Sequence, residues 1–196
     1  MIIDILLIVL AYLIGSVSGA LIVSKMMGLP DPRTQGSGNP GATNVLRYSG
    51  KKAALLTLGL DVFKGVIAVL MVKFMTMEPI VLAGAGLAVF LGHLYPIFFQ
   101  FRGGKGVATA FGVLLILAWP VSLAVLATWL IMSLVFRYSS LAAITAAILT
   151  PGYMFWFTDG MLEYTLMAFL ISALLIWRHR SNIYKLLNGQ EDKIGD

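Results

Sequence analysis

The sequence has no cysteine and only two histidines. A disulfide framework, a thiol nucleophile and a cysteine-based metal centre are therefore excluded. The polar loops also lack an acidic cluster, so neither a metal site nor another cofactor is expected. Charge is scarce as well. Asp, Glu, Lys and Arg make up 12% of the 196 residues, about half the share of an ordinary soluble domain. Disorder needs the opposite bias, high charge with few apolar residues. What fills the chain is 59% hydrophobic residues, with a mean hydropathy of +0.91. A soluble fold of this composition would have too little polar surface to cover itself. The expected class is an all-α polytopic membrane protein.

Seven apolar stretches can be marked, at about 3–24, 53–75, 79–100, 106–119, 120–136, 141–157 and 162–177. Several fall short of the roughly 20 residues a full crossing needs. The fourth and fifth meet at Trp119-Pro120, and form either a tight helical hairpin or two half-spans; proline at 120 favours the hairpin turn. The opening Met1-Ile2-Ile3-Asp4 lacks a basic segment and the apolar run continues to about Val23, so it reads as a permanent span rather than a cleaved signal. The net charge is +5, and most basic residues stand beside apolar runs. That favours anionic lipid or anionic substrates over nucleic acid. Twelve of the fourteen basic residues fall on one side of the expected membrane, leaving only Lys64 and Lys73. Basic loops stay cytoplasmic, which predicts the amino terminus outside, the carboxyl terminus inside and an odd number of crossings. Seven satisfies this, and so would five. The expectation is a seven-transmembrane helix bundle forming one domain, residues 1–196.

Three polar segments could carry chemistry, all on the cytoplasmic side. The first runs Gly36-Ser37-Gly38-Asn39-Pro40-Gly41-Ala42-Thr43-Asn44 and on to Arg47. Gly36, Gly38 and Gly41 match a dinucleotide fingerprint in spacing, with Asp61 twenty residues further on. No strand precedes them, however, and Asp61 lies inside an apolar run, so that reading fails. The segment is either a flexible turn or a backbone nest with an arginine fork, which suits a phosphate. The second is Gly92-His93-Leu94-Tyr95-Pro96 followed by Arg102-Gly103-Gly104-Lys105-Gly106-Val107-Ala108-Thr109. It is not a phosphate-binding P-loop, because Gly106 follows the lysine where a hydroxyl should hold magnesium. Glycines around a lysine, opening a helix at Val107, still suit an anion. The plainer alternative is a basic stop at the membrane edge, with His93 a packing residue. The third segment is Arg178-His179-Arg180-Ser181-Asn182, ending near Glu191. It is either a basic anchor at the headgroups or a functional pair, His179 and Asn182, on one helical face. Within the apolar runs, Asp61 and Lys64 read as an ion pair, and Gly15 and Gly19 as small faces for close helix packing.

These three segments, in this order and with the turn Arg137-Tyr138-Ser139-Ser140-Leu141, resemble the bacterial acyl-phosphate-dependent glycerol-3-phosphate acyltransferase family. The resemblance covers nearly the whole chain. Lys185 departs mildly from it, standing where many members have arginine. What it implies is an enzyme of the bacterial inner membrane with its active site facing the cytoplasm. The enzyme would move a fatty acyl group from long-chain acyl phosphate to the 1-hydroxyl of glycerol 3-phosphate. The products would be lysophosphatidate and inorganic phosphate, the first step of phospholipid synthesis. Membrane lipid and the enzyme that supplies acyl phosphate are the implied partners. Catalytic roles fall to Ser37, Arg47, Lys105, His179 and Asn182. Substrate binding falls to Gly36, Gly38, Asn39, Thr43, Asn44, Gly103, Gly104, Gly106, Thr109 and Ser140, with Glu191 structural.

The residues are compatible with that chemistry. Acyl phosphate is already activated, so the protein has mainly to hold the alcohol against the carbonyl and stabilise charge. Lys105 and Arg47 could clamp phosphate, and Ser37 with backbone N–H groups could stabilise the oxyanion. His179 could take the hydroxyl proton, or position the glycerol while a substrate phosphate acts as base. Other lipid-enzyme patterns are absent: the position five residues beyond the histidine, where His-x4-Asp needs aspartate, is Phe98 after His93 and Tyr184 after His179. The competing reading is a transporter of a phosphorylated solute, but the sequence lacks the internal repeat that such folds show.

Overall fold

A computed structural model describes residues 1–195, and among these there are nine α-helices and no strand. The chain divides into two compact units, residues 1–116 and 117–196. The first holds α1 (Ile2–Gly15), α2 (Gly19–Met26), α3 (Ala42–Met75), α4 (Pro79–Leu94) and α5 (Val107–Leu117). The second holds α6 (Trp119–Phe136), α7 (Ser139–Phe157), α8 (Leu162–Arg178) and α9 (Arg180–Leu187).

Polarity is arranged for lipid. Small residues fill much of the interior, among them Ala11, Ala20, Ala53, Ala68 and Ala85 in the first unit and Ala142 in the second. Large apolar side chains such as Leu55, Phe63 and Phe74 on α3, or Ile131, Leu134 and Val135 on α6, are exposed. An aqueous protein would bury these, whereas hydrocarbon solvates them.

Four helical segments are long and apolar enough to cross a membrane: Ala42–Met75, Pro79–Phe99, Trp119–Phe136 and Ser139–Phe157. A fifth arises if α1 and α2, bent by 42°, form one broken span. The apolar stretch at 106–119 is therefore less than a full crossing by length. α5 has 11 residues, about 16 Å of helix against the roughly 30 Å of a hydrocarbon core. It stops because Ala118 leaves helical space (φ −153°, ψ 82°), and Pro120 then sits in the first turn of α6, where its missing N–H costs nothing. α8 has 17 residues, close to the lower limit for a span. The apolar stretch at 53–75 belongs to a longer helix. α3 starts at Ala42, and Gly50 (φ 84°, ψ 174°) breaks it into two rods, a conformation glycine adopts without penalty.

Glycines set the closest crossings in the first unit. A Cβ at Gly15 would run into the Val89 backbone of α4, and one at Gly92 into the backbone of Tyr12, Gly15 and Ser16. The Tyr12 hydroxyl also donates to the Tyr95 carbonyl (2.7 Å), pinning the end of α4 to α1. α3 and α5 meet in the same way, Gly65 against Thr109 and Gly112 against Val62. Gly92→Ala should therefore lower stability by about 1–3 kcal/mol through overpacking. Gly59→Ala, on a part of α3 with nothing within 4 Å, should leave stability unchanged or raise it by up to about 1 kcal/mol. Thermal unfolding in detergent checks the pair, and equal midpoints would contradict a close α1–α4 crossing.

Candidate active site

The first polar segment is a tied loop, not a floppy one. Asp31 caps a single 3-10 turn at Pro32–Thr34, accepting from the Arg33 amide (2.9 Å) and from the Arg33 guanidinium (2.7 Å at Nη2). The hydrogen bond from the Arg33 side chain holds the Asp31 carboxyl below its ordinary range. The knot of the loop is Asn44, in the first turn of α3 and 3% exposed. Its Nδ2 donates to the carbonyls of Pro32 (2.9 Å) and Gln35 (3.0 Å), and its Oδ1 accepts from the Ser37 amide (3.1 Å). Gly36 (φ 52°) and Gly38 (φ 68°) provide the left-handed turns. A side chain at Gly36 would collide with the Tyr48 ring. Ser37 is left exposed at the apex, and its hydroxyl accepts from the Asn39 amide (3.4 Å). Thr43 and Arg47 are exposed on the first turns of α3. The expected role of Asn44 in substrate binding is thus joined by an architectural one: both of its N–H donors are spent on the loop backbone.

The second segment folds back on the end of α4. The Gly104 amide donates to the His93 carbonyl (3.1 Å). A Cβ at Gly103 would strike the His93 and Leu94 carbonyls, one at Gly104 the His93 ring, and one at Gly106 (φ 85°) the Phe90 ring. These three glycines are required by packing, and they deliver a half-buried Lys105 just before α5 opens at Val107. Thr109, expected among substrate-binding residues, is fully buried in this packing. Its hydroxyl donates to the Asp61 carbonyl (3.1 Å) and lies 3.2 Å from His93 Nδ1. Because that hydroxyl proton is spent on Asp61, Nδ1 must be the donor to Thr109, which leaves the lone pair of a neutral His93 ring on Nε2.

Beside these glycines is a narrow crevice with no room for a water molecule, lined among others by Ser16, Ser18, Lys64, His93, Gly103 and Gly104. Ser37 and Arg47 are not among its lining residues. Lys64 of the buried pair seen in the sequence stands on its wall. Lys64 Nζ is 3.3 Å from Asp61 Oδ1, and Asp61 Oδ1 is 3.6 Å from His93 Nδ1. Lys64 also donates to the carbonyls of Gly15 (2.9 Å) and Val17 (2.7 Å), where the first helix breaks. Sequence reasoning identified the ion pair but not its third partner. The available signal was Ser16-Val17-Ser18 interrupting an apolar run between two glycines.

The third segment lies in the second unit. His179, 3% exposed, links α8 to α9, and its Nδ1 is 2.8 Å from the Leu175 carbonyl. A carbonyl only accepts, so Nδ1 carries the proton and Nε2 the lone pair when the ring is neutral. Glu191 Oε1 receives both the Ser140 hydroxyl (2.7 Å) and Asn182 Nδ2 (2.7 Å). The segment after α9 is tied to the α6–α7 turn by Ile194 N to the Arg137 carbonyl (2.6 Å) and by Arg137 Nη2 to the Ile194 carbonyl (2.9 Å). Glu191 therefore brings together Asn182 and Ser140, which the sequence separates by more than forty residues. Among the described residues no group of His, Asp and Glu side chains could hold a metal ion.

An all-helical chain with several apolar spans and large apolar side chains on its outside is an integral membrane protein. Comparison with known proteins gives its family. The family model described as glycerol-3-phosphate acyltransferase matches residues 5–189, and the chain belongs to that family. It is 55% identical over 190 residues to the glycerol-3-phosphate acyltransferase of Methylococcus capsulatus, covering 97% of this chain and 96% of that one. It is 57% identical over 187 residues to that of Thioalkalivibrio sulfidiphilus, covering 95% and 91%. Among solved structures it is similar to PlsY, an integral membrane glycerol 3-phosphate acyltransferase, in its glycerol 3-phosphate form. That match has a TM-score of 0.92 and 44% identity over 98% of this chain and 96% of the other. The lysophosphatidic acid form of PlsY matches with a TM-score of 0.90.

Asn44 supplies a direct test of the first loop. Asn44→Ala strands the Pro32 and Gln35 carbonyls and the Ser37 amide, at a cost of about 1–3 kcal/mol. Hydrogen exchange across residues 32–38 should accelerate at least about tenfold, with α6–α8 unaffected. Unchanged exchange in the loop would remove Asn44 from its bracing role.

Proposed function

We propose that this acyltransferase moves a fatty acyl group from acyl phosphate to the 1-hydroxyl of glycerol 3-phosphate, releasing lysophosphatidate and inorganic phosphate. The observation that carries the reading is the match, over nearly the full length of both chains, to an acyltransferase solved in glycerol 3-phosphate and lysophosphatidic acid forms. The chemistry needs no nucleophile from the protein. The alcohol oxygen attacks the acyl carbonyl, phosphate leaves, and the hydroxyl proton passes to a base. What the protein must supply is alignment and a polar surface for developing charge.

Roles follow from placement. Ser37 at the apex of a braced loop and Arg47 on the next helix are suited to hold a phosphate, and Lys105 is suited to balance the charge on the leaving group. Gly36, Gly38 and Asn39 shape the first loop, and Gly103, Gly104 and Gly106 shape the second. Thr43 stands beside Arg47 as a further hydroxyl for substrate. Asn44, Thr109 and Ser140 contribute to substrate binding by holding backbone and side chains in place, since their polar groups are bonded within the protein. His179 and Asn182 orient the glycerol hydroxyl, with a substrate phosphate taking the proton. The two compact units work as one acyltransferase domain, a reading supported by a family match that runs through both. An odd number of crossings, seven by the count of apolar stretches, with the amino terminus outside and the basic loops at the cytoplasmic face of a bacterial inner membrane, is the topology the charge distribution favours. In the cell, the enzyme that makes acyl phosphate is the natural supplier.

Purified protein given glycerol 3-phosphate and palmitoyl phosphate should release phosphate and lysophosphatidate in equal amounts. Acyl-CoA should not substitute, and Lys105→Ala should cut turnover by at least about a hundredfold. Turnover from acyl-CoA alone would overturn the donor, and absence of turnover in folded protein would overturn the reaction. Single cysteines test the orientation, made easier because the chain has none of its own. A cysteine at Lys51 should be labelled from the cytoplasmic side and one at Glu78 from the opposite side; the reverse pattern would invert the topology.

A further inference from the structure

The lipid-facing side of α8 does not stop where that helix ends. Leu162, Leu166, Phe169 and Leu170 stand exposed along it, at the three- and four-residue spacing of one helical face. The stripe continues through Trp177 to Arg180, Tyr184 and Leu187, which are exposed as well. What changes is its chemistry. The Arg180 guanidinium lies 4.5 Å from the centre of the Trp177 ring, joining α9 to α8, while Tyr184 and Leu187 are 66% and 82% exposed. Lys185 flanks them, and from Tyr164 to Gln190 the chain carries cations but no acidic residue. Aromatic rings, an aliphatic side chain and cations without counter-charge compose a face for the boundary between hydrocarbon and headgroups. The opposite side of α9 belongs to the protein. Ile183 and Leu186 are half-buried there with Asn182, whose Nδ2 donates to Glu191 (2.7 Å) beside the Ser140 hydroxyl. Eight residues make a helix too short to hold its shape alone. What covers its outer face therefore bears on how firmly Asn182 is held.

We propose that the outer face of α9, with Trp177, docks on a leaflet of anionic phospholipid, and that this contact holds Asn182 in place. The occupant is a headgroup surface rather than a soluble partner for two reasons. The face is continuous with a side of α8 that hydrocarbon solvates. Its cations are also unopposed within it, which complements a leaflet of negative charge. Arg180 spends one N–H on the Trp177 carbonyl (3.4 Å), which leaves the rest of an exposed fork for phosphate oxygens. The inference deepens the acyltransferase reading, in which Asn182 orients the glycerol hydroxyl, and rests on it for that step alone. It adds a partner, anionic lipid, and makes turnover depend on the composition of the membrane.

The experiment is hydrogen exchange on the full chain in nanodiscs of phosphatidylcholine alone or of phosphatidylcholine mixed with phosphatidylglycerol. Wild type is compared with the double variant Arg180→Gln/Lys185→Gln, which changes two exposed side chains outside the catalytic set. Amides of residues 180–187 in wild type should exchange at least about threefold more slowly in the anionic discs. The double variant, or high salt, should erase that difference. Turnover is read in the same discs with glycerol 3-phosphate and palmitoyl phosphate. The double variant should fall at least about threefold below wild type in the anionic mixture, and stay within about twofold of it in phosphatidylcholine alone. An equal loss of turnover in both lipids would mark a structural effect of the substitutions and overturn the proposal. Equal exchange of α9 in the two lipids would leave its face to a water-soluble partner and overturn it too. So would protection by anionic lipid with turnover unchanged, since Asn182 would then be held without the leaflet. Wild type without turnover in either lipid would instead overturn the acyltransferase reading, while exchange would still decide the docking.

Discussion

Where the first helix breaks at Ser16, the carbonyls of Gly15 and Val17 need donors that neither lipid nor the next turn supplies, and Lys64 provides them. Much of the first unit is arranged around this requirement. The two carbonyls take two of the lysine's donors, and Asp61 stands one turn before it on α3 as its counter-charge. Asp61 in turn lies 3.6 Å from His93 Nδ1, and its own backbone carbonyl receives Thr109. Four elements, α1, α3, α4 and α5, are thereby joined through a single buried polar cluster. Removing one member of such a pair leaves an uncompensated charge, which typically costs about 3–5 kcal/mol. The cluster therefore specifies how the helices meet as well as stabilising them.

The glycines serve the same end by different means. In each polar segment they permit an approach of backbone to backbone or backbone to ring that a methyl group would block: Gly103 on the end of α4, Gly104 on His93, Gly36 on Tyr48. Glycine-rich loops are easily read as flexible anion cradles. Here they are taut, and the side chains they present, Ser37 and Lys105, stand on loops braced by Asn44 and by the Gly104–His93 bond. Rigidity of this kind suits a reaction in which alignment is the main contribution expected of the protein.

Much of this was legible in the sequence, and what was not has a physical reason. The membrane class followed from composition. The three polar segments followed from the density of glycine, hydroxyl and basic residues between apolar runs. Asp61 and Lys64 stood out as charges one turn apart inside such a run. The bend at Ser16 was not legible, because small residues in an apolar run are read as a packing face, and Gly15 and Gly19 do pack closely. Only the position of Lys64, 49 residues from Gly15 in sequence, shows that the helix also breaks there. The break before α6 was legible at Trp119-Pro120, and the stretch before it was short. Whether that stretch crosses was open, because apolarity runs unbroken through Leu117, Ala118 and Trp119 and the end of α5 is set by a single residue's backbone angle. The link from Asn182 through Glu191 to Ser140 depends on how the chain beyond α9 returns to α7, which no local pattern encodes.

The two histidines show how the structure bears on the proton in the proposed reaction. Each has its Nδ1 held, His179 by the Leu175 carbonyl and His93 by Thr109. Each neutral ring therefore carries its lone pair on Nε2. For His179 the Nδ1 partner is a backbone dipole. In the serine hydrolase arrangement a buried carboxylate at that position stabilises the imidazolium as it forms, and a carbonyl does so less. An imidazole fixed in this way is a well-oriented hydrogen-bond acceptor. A phosphate with a second pKa of about 6 can itself take a proton, and in the proposed reaction one is present on each substrate. In the proposed reaction this orientation is what assigns His179 to aiming the glycerol hydroxyl and the proton to a substrate phosphate.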